Sequence, residues 1–203
     1  MNEGPQVLSV FQERQLRVFF DGKFLDIPNT VAKATEAVAR RGVDMFTVHA
    51  SGGRKMLEAC VSAARSASAA AGKPEPVVLG VTVLTSMNQQ ALNEELRVAG
   101  SVSEQVLNLA QVCAKSGVTG IVASPEEVAQ IRRAVGEQII LVTPGVRPKW
   151  ADANDQSRVM TPADAIKSGS DYLVIGRPIT ASADRKDAAK RIVDEMESAL
   201  AAV

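Results

Sequence analysis

Aromatic side chains make up only 3% of this chain, with one Trp and one Tyr, so it cannot offer the stacked rings on which single-stranded nucleic acid rests. Charge of one sign is missing too. Lys+Arg and Asp+Glu both number 23, which leaves no net field to draw the chain to a polyanion or an anionic membrane surface. The longest apolar runs are strand-sized, far short of a bilayer span, and Met1-Asn2-Glu3-Gly4-Pro5 lacks the basic-then-apolar order of a secretory signal. The single histidine, His49, excludes a multi-histidine metal centre, and nothing specifies the third group and oxyanion hole that a Ser–His nucleophile needs. It reads as a hydrogen-bonded histidine at a strand end. The two cysteines, Cys60 and Cys113, lie far apart in helical patterns without metal-ligand spacing, and read as buried thiols of a reducing cytosol.

What remains is ample: 203 residues, 46% of them hydrophobic, enough for one domain with a sizeable core. No internal repeat and no linker-like segment interrupts residues 1–203. Strand-like runs alternate with helices whose ends are marked. Val18-Phe19-Phe20 reads as a buried strand, and Pro28 opens a helix with Val31, Ala34, Thr35 and Val38 on one face, ending at Gly42. Met45–Val48 is a second strand, followed by a long helix through Met56, Cys60 and Ala63. Val77–Leu84 is nearly all apolar, as befits a strand covered on both faces. Ser101 with Glu104, and Ser124 with Glu127, have capping-box spacing, and Gly117 and Gly136 end the helices they begin. Gly120–Ala123, Ile139–Val142 and Tyr172–Ile175 complete the strands, Thr161-Pro162 opens another helix, and Ala189, Ile192, Val193, Met196 and Leu200 form the stripe of the last. Such alternation implies a parallel sheet, open or closed into a barrel. Six strands favour the open sheet. The polar segments that follow the strands, and Gly176-Arg177 after the last one, favour a (β/α)8 barrel.

Three segments carry chemistry. In Asp21-Gly22-Lys23-Phe24-Leu25-Asp26-Ile27-Pro28-Asn29-Thr30, strand alternation projects Asp21 and Lys23 from the same face, with Asp26 close behind. From spacing alone this is either a site with two acids around one amine or a solvated strand end with a structural ion pair. Thr143-Pro144-Gly145-Val146-Arg147 opens a loop reaching Met160, long enough to be a binding loop or lid, in which Arg147 and Gln156 can donate to an anion. Asp152-Ala153-Asn154-Asp155 lacks the Gly and the Glu of a calcium loop. Val174-Ile175-Gly176-Arg177-Pro178 sets a glycine and a cation between strand and helix, a phosphate-site pattern or a simple turn. The hydroxyls of Leu84-Thr85-Ser86-Met87 suit a polar heterocycle or an ordinary helix-entry turn.

Together with Val48-His49-Ala50-Ser51-Gly52-Gly53 and Met160-Thr161-Pro162, these segments resemble the orotidine 5′-phosphate decarboxylase family of bacterial type, in order and through nearly the whole chain. The Ile27-Pro28-Asn29-Thr30 continuation separates the chain from related sugar-phosphate enzymes that share Asp-x-Lys-x-x-Asp. The resemblance implies a TIM barrel that converts orotidine 5′-phosphate to UMP, without cofactor or metal, as a cytoplasmic homodimer. It implies Lys23 as proton donor, Asp21 beside the substrate carboxylate, and Asp26 reaching into the partner's site. Thr30, Thr85 and Ser86 would contact the nucleotide, and Arg147, Gln156, Gly176 and Arg177 its phosphate. The family pattern also has two earlier strands, one with an Asp and one with a Lys that completes a Lys-Asp-Lys-Asp array. Neither is found within residues 1–203, and Gly22 stands where the pattern is apolar. The expectation is therefore six of eight strands and little activity for residues 1–203 alone. A non-catalytic nucleotide-binding or dimerising relative, and a metal-dependent sugar-phosphate lyase, are the alternative readings.

Overall fold

Strands and helices alternate along residues 4–151 and 160–201, the residues that the computed structural model describes. Among them six strands form one sheet, hydrogen-bonded in chain order β1-β2-β3-β4-β5-β6. The chain divides into two compact units, one running to Val81 and including Gln111–Gly120, the other Thr82–Ala110 and the chain from Ile121 onward.

The first unit holds α1 (Val7–Gln12), β1 (Phe19–Phe24), α2 (Pro28–Ala39), β2 (Met45–His49), α3 (Gly53–Ala70) and β3 (Val77–Val81). β2 pairs in parallel with β1 on one side and β3 on the other, so Phe46 and Val48 are fully buried. Val31 and Val38 of α2 and Met56, Leu57 and Ala64 of α3 are also buried in this unit, and the Thr35 hydroxyl meets the Cys60 thiol at 3.2 Å. Burial pushes the Cys60 thiol up to about 11 and Cys113 to about 12, so neither is a thiolate nucleophile at neutral pH. Gly80 is required by closeness: a Cβ there would lie 2.3 Å from Cys113 Sγ.

The sequence leads one to expect a buried first strand. The structure corrects this: Val18 is buried, but Phe19 is 37% exposed and Asp21, Gly22 and Lys23 lie within β1 rather than beyond it. β1 pairs only with β2 among the described residues, and an apolar run on an edge strand is not enclosed. On α1, Leu8 is buried, Val7 half-buried and Phe11 exposed.

The second unit contains the turn at Leu84–Met87, a five-residue π-helical turn Ala91–Glu95, β4 from Ile121 (Gly120–Val122), α5 (Val128–Val135), β5 (Ile140–Pro144), α6 (Pro162–Lys167), β6 (Tyr172–Val174), α7 (Arg177–Thr180) and α8 (Arg185–Leu200). Helix α4 (Val102–Lys115) begins here with its capping box: Ser101 Oγ accepts from the Glu104 N–H, and Glu104 accepts from the Ser101 N–H at 2.7 Å. Ile121, Val128, Ile131, Leu141, Val142 and Ala165 are buried. β3 ends at Val81, three residues before the apolar run does, because Leu84 accepts from the Met87 N–H in a tight turn and is itself 41% exposed. On α8 the buried line is Ala188, Ile192 and Ala199, whereas Val193 and Leu200 of the expected stripe face outward at 47% and 61% exposure. No helix of the described residues is long and apolar enough to cross a membrane.

Strand starts carry a repeated polar device. Asp44 accepts from the Val18 N–H at 2.7 Å, Thr119 Oγ1 from the Val78 N–H at 3.1 Å, and Asp171 from the Leu141 N–H at 2.7 Å. In each case the side chain just before one strand satisfies a donor at the start of its neighbour, which fixes register where the ladder begins. Asp171 also receives Arg132 at 2.8 Å, and that largely buried guanidinium donates further to the Ile139 and Gly169 carbonyls. Asp171→Ala should therefore cost about 1–3 kcal/mol in urea unfolding, as orphaned donors do. Removing the exposed Glu36–Arg40 pair by Glu36→Ala should cost less than about 0.5 kcal/mol.

Candidate functional site

Thr47 is 1% exposed in the middle of β2, and its hydroxyl has no solvent to satisfy it. It donates to Asp21 Oδ1 at 2.8 Å and accepts from the Lys23 N–H at 2.8 Å, so one buried oxygen fixes both the acid and the backbone of the amine. The other Asp21 oxygen lies 2.5 Å from Lys23 Nζ. The Asp21 and Lys23 side chains are 48% and 42% exposed. The pair is thus held from below and open above.

Plain alternation does not produce this arrangement. Phe20 pairs with Phe46 and Phe24 with Val48, so β1 uses four steps (20 to 24) where β2 uses two (46 to 48). Lys23 absorbs the excess with φ +44°, a left-handed backbone that non-glycine residues adopt at a cost of order 1–3 kcal/mol. Gly22 belongs to the same device. A Cβ on it would lie 2.5 Å from Phe20 and 3.0 Å from Phe24, whose rings are 6.0 Å apart, with Phe46 next in line at 5.9 Å. The missing side chain lets these rings fold beside the bulge.

His49 ends β2, half-buried, and no hydrogen bond to its ring is present among the described residues. Its pKa is lowered, first by burial and then by the positive charge of Lys23, with Asp21 opposing. The imidazole therefore senses the pair without touching it. Asp26 is not brought against Lys23: it is exposed, and its carboxylate accepts from the next residue's N–H, that of Ile27, at 2.6 Å. Thr30 is exposed on the first turn of α2.

In the second unit, Thr85 is half-buried and Ser86 exposed, both within the turn after β3. Arg147 is 5% exposed beyond β5, and its N–H donates to the Met160 carbonyl at 2.9 Å, which ties the two ends of the long loop. Gly176 precedes α7 and Arg177 is its first residue. Arg147 and Arg177 line one cavity of about 460 Å³ with Trp150, Ala181 and Ser182. Two guanidiniums beside a hydroxyl and an aromatic wall make a site for a compact anion. Gln156 lies outside the described residues. No cluster of three potential metal ligands occurs among the described residues.

Two participants escape a reading by motif. Thr47 is hidden in an apolar strand, and its only signal is a hydroxyl one strand over from Asp21. Trp150 is signalled only by being the single Trp near Arg147.

Thr47→Val should lower stability by about 1–3 kcal/mol in urea unfolding, since the Lys23 N–H then has no acceptor, while Thr47→Ser should stay near wild type. Stability should also fall as pH drops through the ordinary histidine range near 6.5. The folded protein holds His49 neutral while the unfolded chain takes up a proton, so stability rises with pH across that window. His49→Gln should remove this slope in unfolding curves at pH 7.5 and 5.5, since it removes the chain's only histidine.

A profile described as "Orotidine 5'-phosphate decarboxylase / HUMPS family" matches residues 1–192. The orotidine 5′-phosphate decarboxylase of Heliobacterium modesticaldum is 54% identical over 184 residues, covering 91% of this chain and 76% of that protein. That of Moorella thermoacetica is 50% identical over 194 residues, 96% of this chain and 77% of its own length. The crystal structure of orotidine 5′-phosphate decarboxylase from Lactobacillus acidophilus superposes with a TM-score of 0.84 at 36% identity, covering 95% of this chain and 81% of that one. With six parallel strands in chain order, the motifs in sequence and a profile spanning most of its length, the chain belongs to the orotidine 5′-phosphate decarboxylase / HUMPS family of (β/α)8-barrel enzymes.

Proposed function

We propose that the protein is a carboxy-lyase that converts orotidine 5′-phosphate to UMP, in the last step of UMP synthesis. The observation that carries this reading is the Lys23 ammonium, held at 2.5 Å by Asp21 on a strained bulge over buried Thr47, in a chain half identical to decarboxylases of that name.

The C6–carboxylate bond breaks, CO2 leaves, and the electron pair stays on C6 in the ring plane, out of conjugation with the π system. A fixed ammonium stabilises that pair and then donates its proton to it, leaving UMP and a neutral amine. Asp21 orients the ammonium and lies beside the departing carboxylate. Asp26, exposed and turned onto the Ile27 N–H rather than onto Lys23, serves the site of a second copy in a homodimer. Thr30, Thr85 and Ser86 contact the nucleotide. Arg147 and Arg177 hold its phosphate with Gly176 and Gln156, and binding energy gained there is available at C6. Such a biosynthetic enzyme works in the cytoplasm.

The test is conversion of orotidine 5′-phosphate to UMP by purified residues 1–203 and by the same chain preceded by a family-like segment with the second Lys, which should supply the turnover that residues 1–203 alone are expected to lack. Turnover should be lost in Lys23→Ala and unchanged by EDTA; turnover that survives Lys23→Ala removes Lys23 from the role, and loss with EDTA favours a metal-dependent lyase. Arg177→Ala should weaken UMP by about 1.5–3 kcal/mol in calorimetry and leave uridine unchanged. Equal losses for both ligands would make the arginine structural.

A further inference from the structure

Trp150 is the only tryptophan of the chain, and the Arg191 guanidinium carbon sits 4.2 Å from its ring centroid. At that distance the cation is attracted to the ring face, and the planar guanidinium is suited to lie along it. Arg191 has a weak alternative partner, Asp187 one helical turn earlier at 4.0 Å, both side chains about half exposed. An exposed pair at that distance does not fix a side chain. The ring is therefore the defined partner.

The support beneath Arg191 is firm. Helix α8 is capped by Asp184, which accepts from the Lys186 and Asp187 N–H groups at 3.0 and 2.9 Å. The next residue along, Ile192, is 3% exposed, and Glu195 accepts from the Ala163 N–H at the start of α6 at 3.1 Å. On the other side of the stack, Trp150 belongs to the segment that follows Arg147. That segment is tied at its start by Arg147 N–H to Met160, and it turns through Ala151 N–H to the Pro148 carbonyl at 3.0 Å. Trp150 and Ala151 then line the same cavity as Arg147, Arg177 and Ser182.

We propose that Arg191 is a positioning residue for the anion cavity: stacked on Trp150, it holds the indole as a wall against which Arg147 and Arg177 receive a phosphate. Arg191 does not line the cavity, so it acts through Trp150. The wall excludes water from one side of the two guanidiniums, and charge-assisted contacts strengthen where water is excluded. Without the stack, Trp150, already 39% exposed, loses the contact that presses its face against α8, and the cavity opens on that side. This rests on the reading of the cavity as a phosphate site.

The experiment is a double-mutant cycle on the full chain, with UMP and uridine titrated calorimetrically into wild type, Arg191→Ala, Trp150→Ala and the double variant, and Arg177→Ala as control. Arg191→Ala should weaken UMP about threefold, the scale of one partly exposed cation–π contact, without affecting uridine. In the Trp150→Ala background the same change should weaken UMP no further. Arg191→Lys, which keeps a cation over the ring, should recover most of the loss. Acrylamide should quench the emission of Trp150 more strongly in Arg191→Ala than in wild type. Unchanged UMP affinity in Arg191→Ala, additive losses in the double variant, or equal losses for uridine would each overturn the proposal while a weakened Arg177→Ala leaves the phosphate reading standing. If Arg177→Ala binds UMP like wild type, or no variant binds UMP, the phosphate reading fails and this inference with it.

Discussion

The Thr47 hydroxyl is the fixed point around which Asp21 and Lys23 are arranged. It lies on β2, which pairs with a strand on either side, between Phe46 and Val48, neither of which reaches solvent. The β-branched side chain there is stiff at χ1, and its two hydrogen bonds both go to the neighbouring edge strand, to the Asp21 carboxylate and the Lys23 N–H. The left-handed backbone at Lys23 is tolerable because these bonds over-determine it. An ion pair on an ordinary exposed strand would be worth little and wander among rotamers. Anchored through Thr47, the same pair has a defined place.

Polar groups at the two ends of the strands do different work. Asp44, Thr119 and Asp171 stand just before strands and spend their acceptors on the backbone of the neighbouring strand, where they set register. Lys23 and His49 lie in the last two residues of β1 and β2, and Arg177 just beyond β6, where side chains are held by the strand yet reach past it. That division is the one expected of barrel enzymes, in which residues before the strands serve stability and residues after them serve chemistry. It also sets Asp171 apart from catalysis: it stands before its strand, and its Oδ2 accepts from both the Leu141 N–H and the Arg132 guanidinium.

Helix beginnings were legible because they are local. Ser101 with Glu104, Ser124 with Glu127, and Thr161 before Pro162 all form the caps their spacing implies, since such a cap involves residues within a few positions of one another. Strand burial was less legible. Val18-Phe19-Phe20 has the composition of an enclosed strand, but enclosure depends on neighbours on both sides, which the run itself cannot specify. The last helix keeps Ile192 of its expected stripe buried but turns Val193 and Leu200 outward, since an apolar period alone does not fix the helix's rotation against the core. At the site, Asp21 and Lys23 do meet as their spacing suggests, yet by a bulge rather than by alternation. The bulge depends on Thr47, 26 positions away from Asp21, and no local rule reaches that far.

The half-exposure of Lys23 is better understood through the proton it is proposed to give than through stability. A donor that surrenders its proton at each turnover has to recover one, so it cannot be sealed permanently. The same ammonium must be shielded from water while charge develops at C6, since stabilisation by a fixed charge weakens in a wet site. An anchor at the backbone and carboxylate, with Nζ left partly open, meets both needs: the geometry is preset by Thr47 and Asp21, and the bound nucleotide itself supplies the cover. Water is then excluded only while substrate is present, and the amine is rearmed once product leaves. On this view the strain at Lys23 belongs to the mechanism, because a regular strand would give Lys23 the same pleat but not the backbone N–H contact that fixes where its ammonium begins.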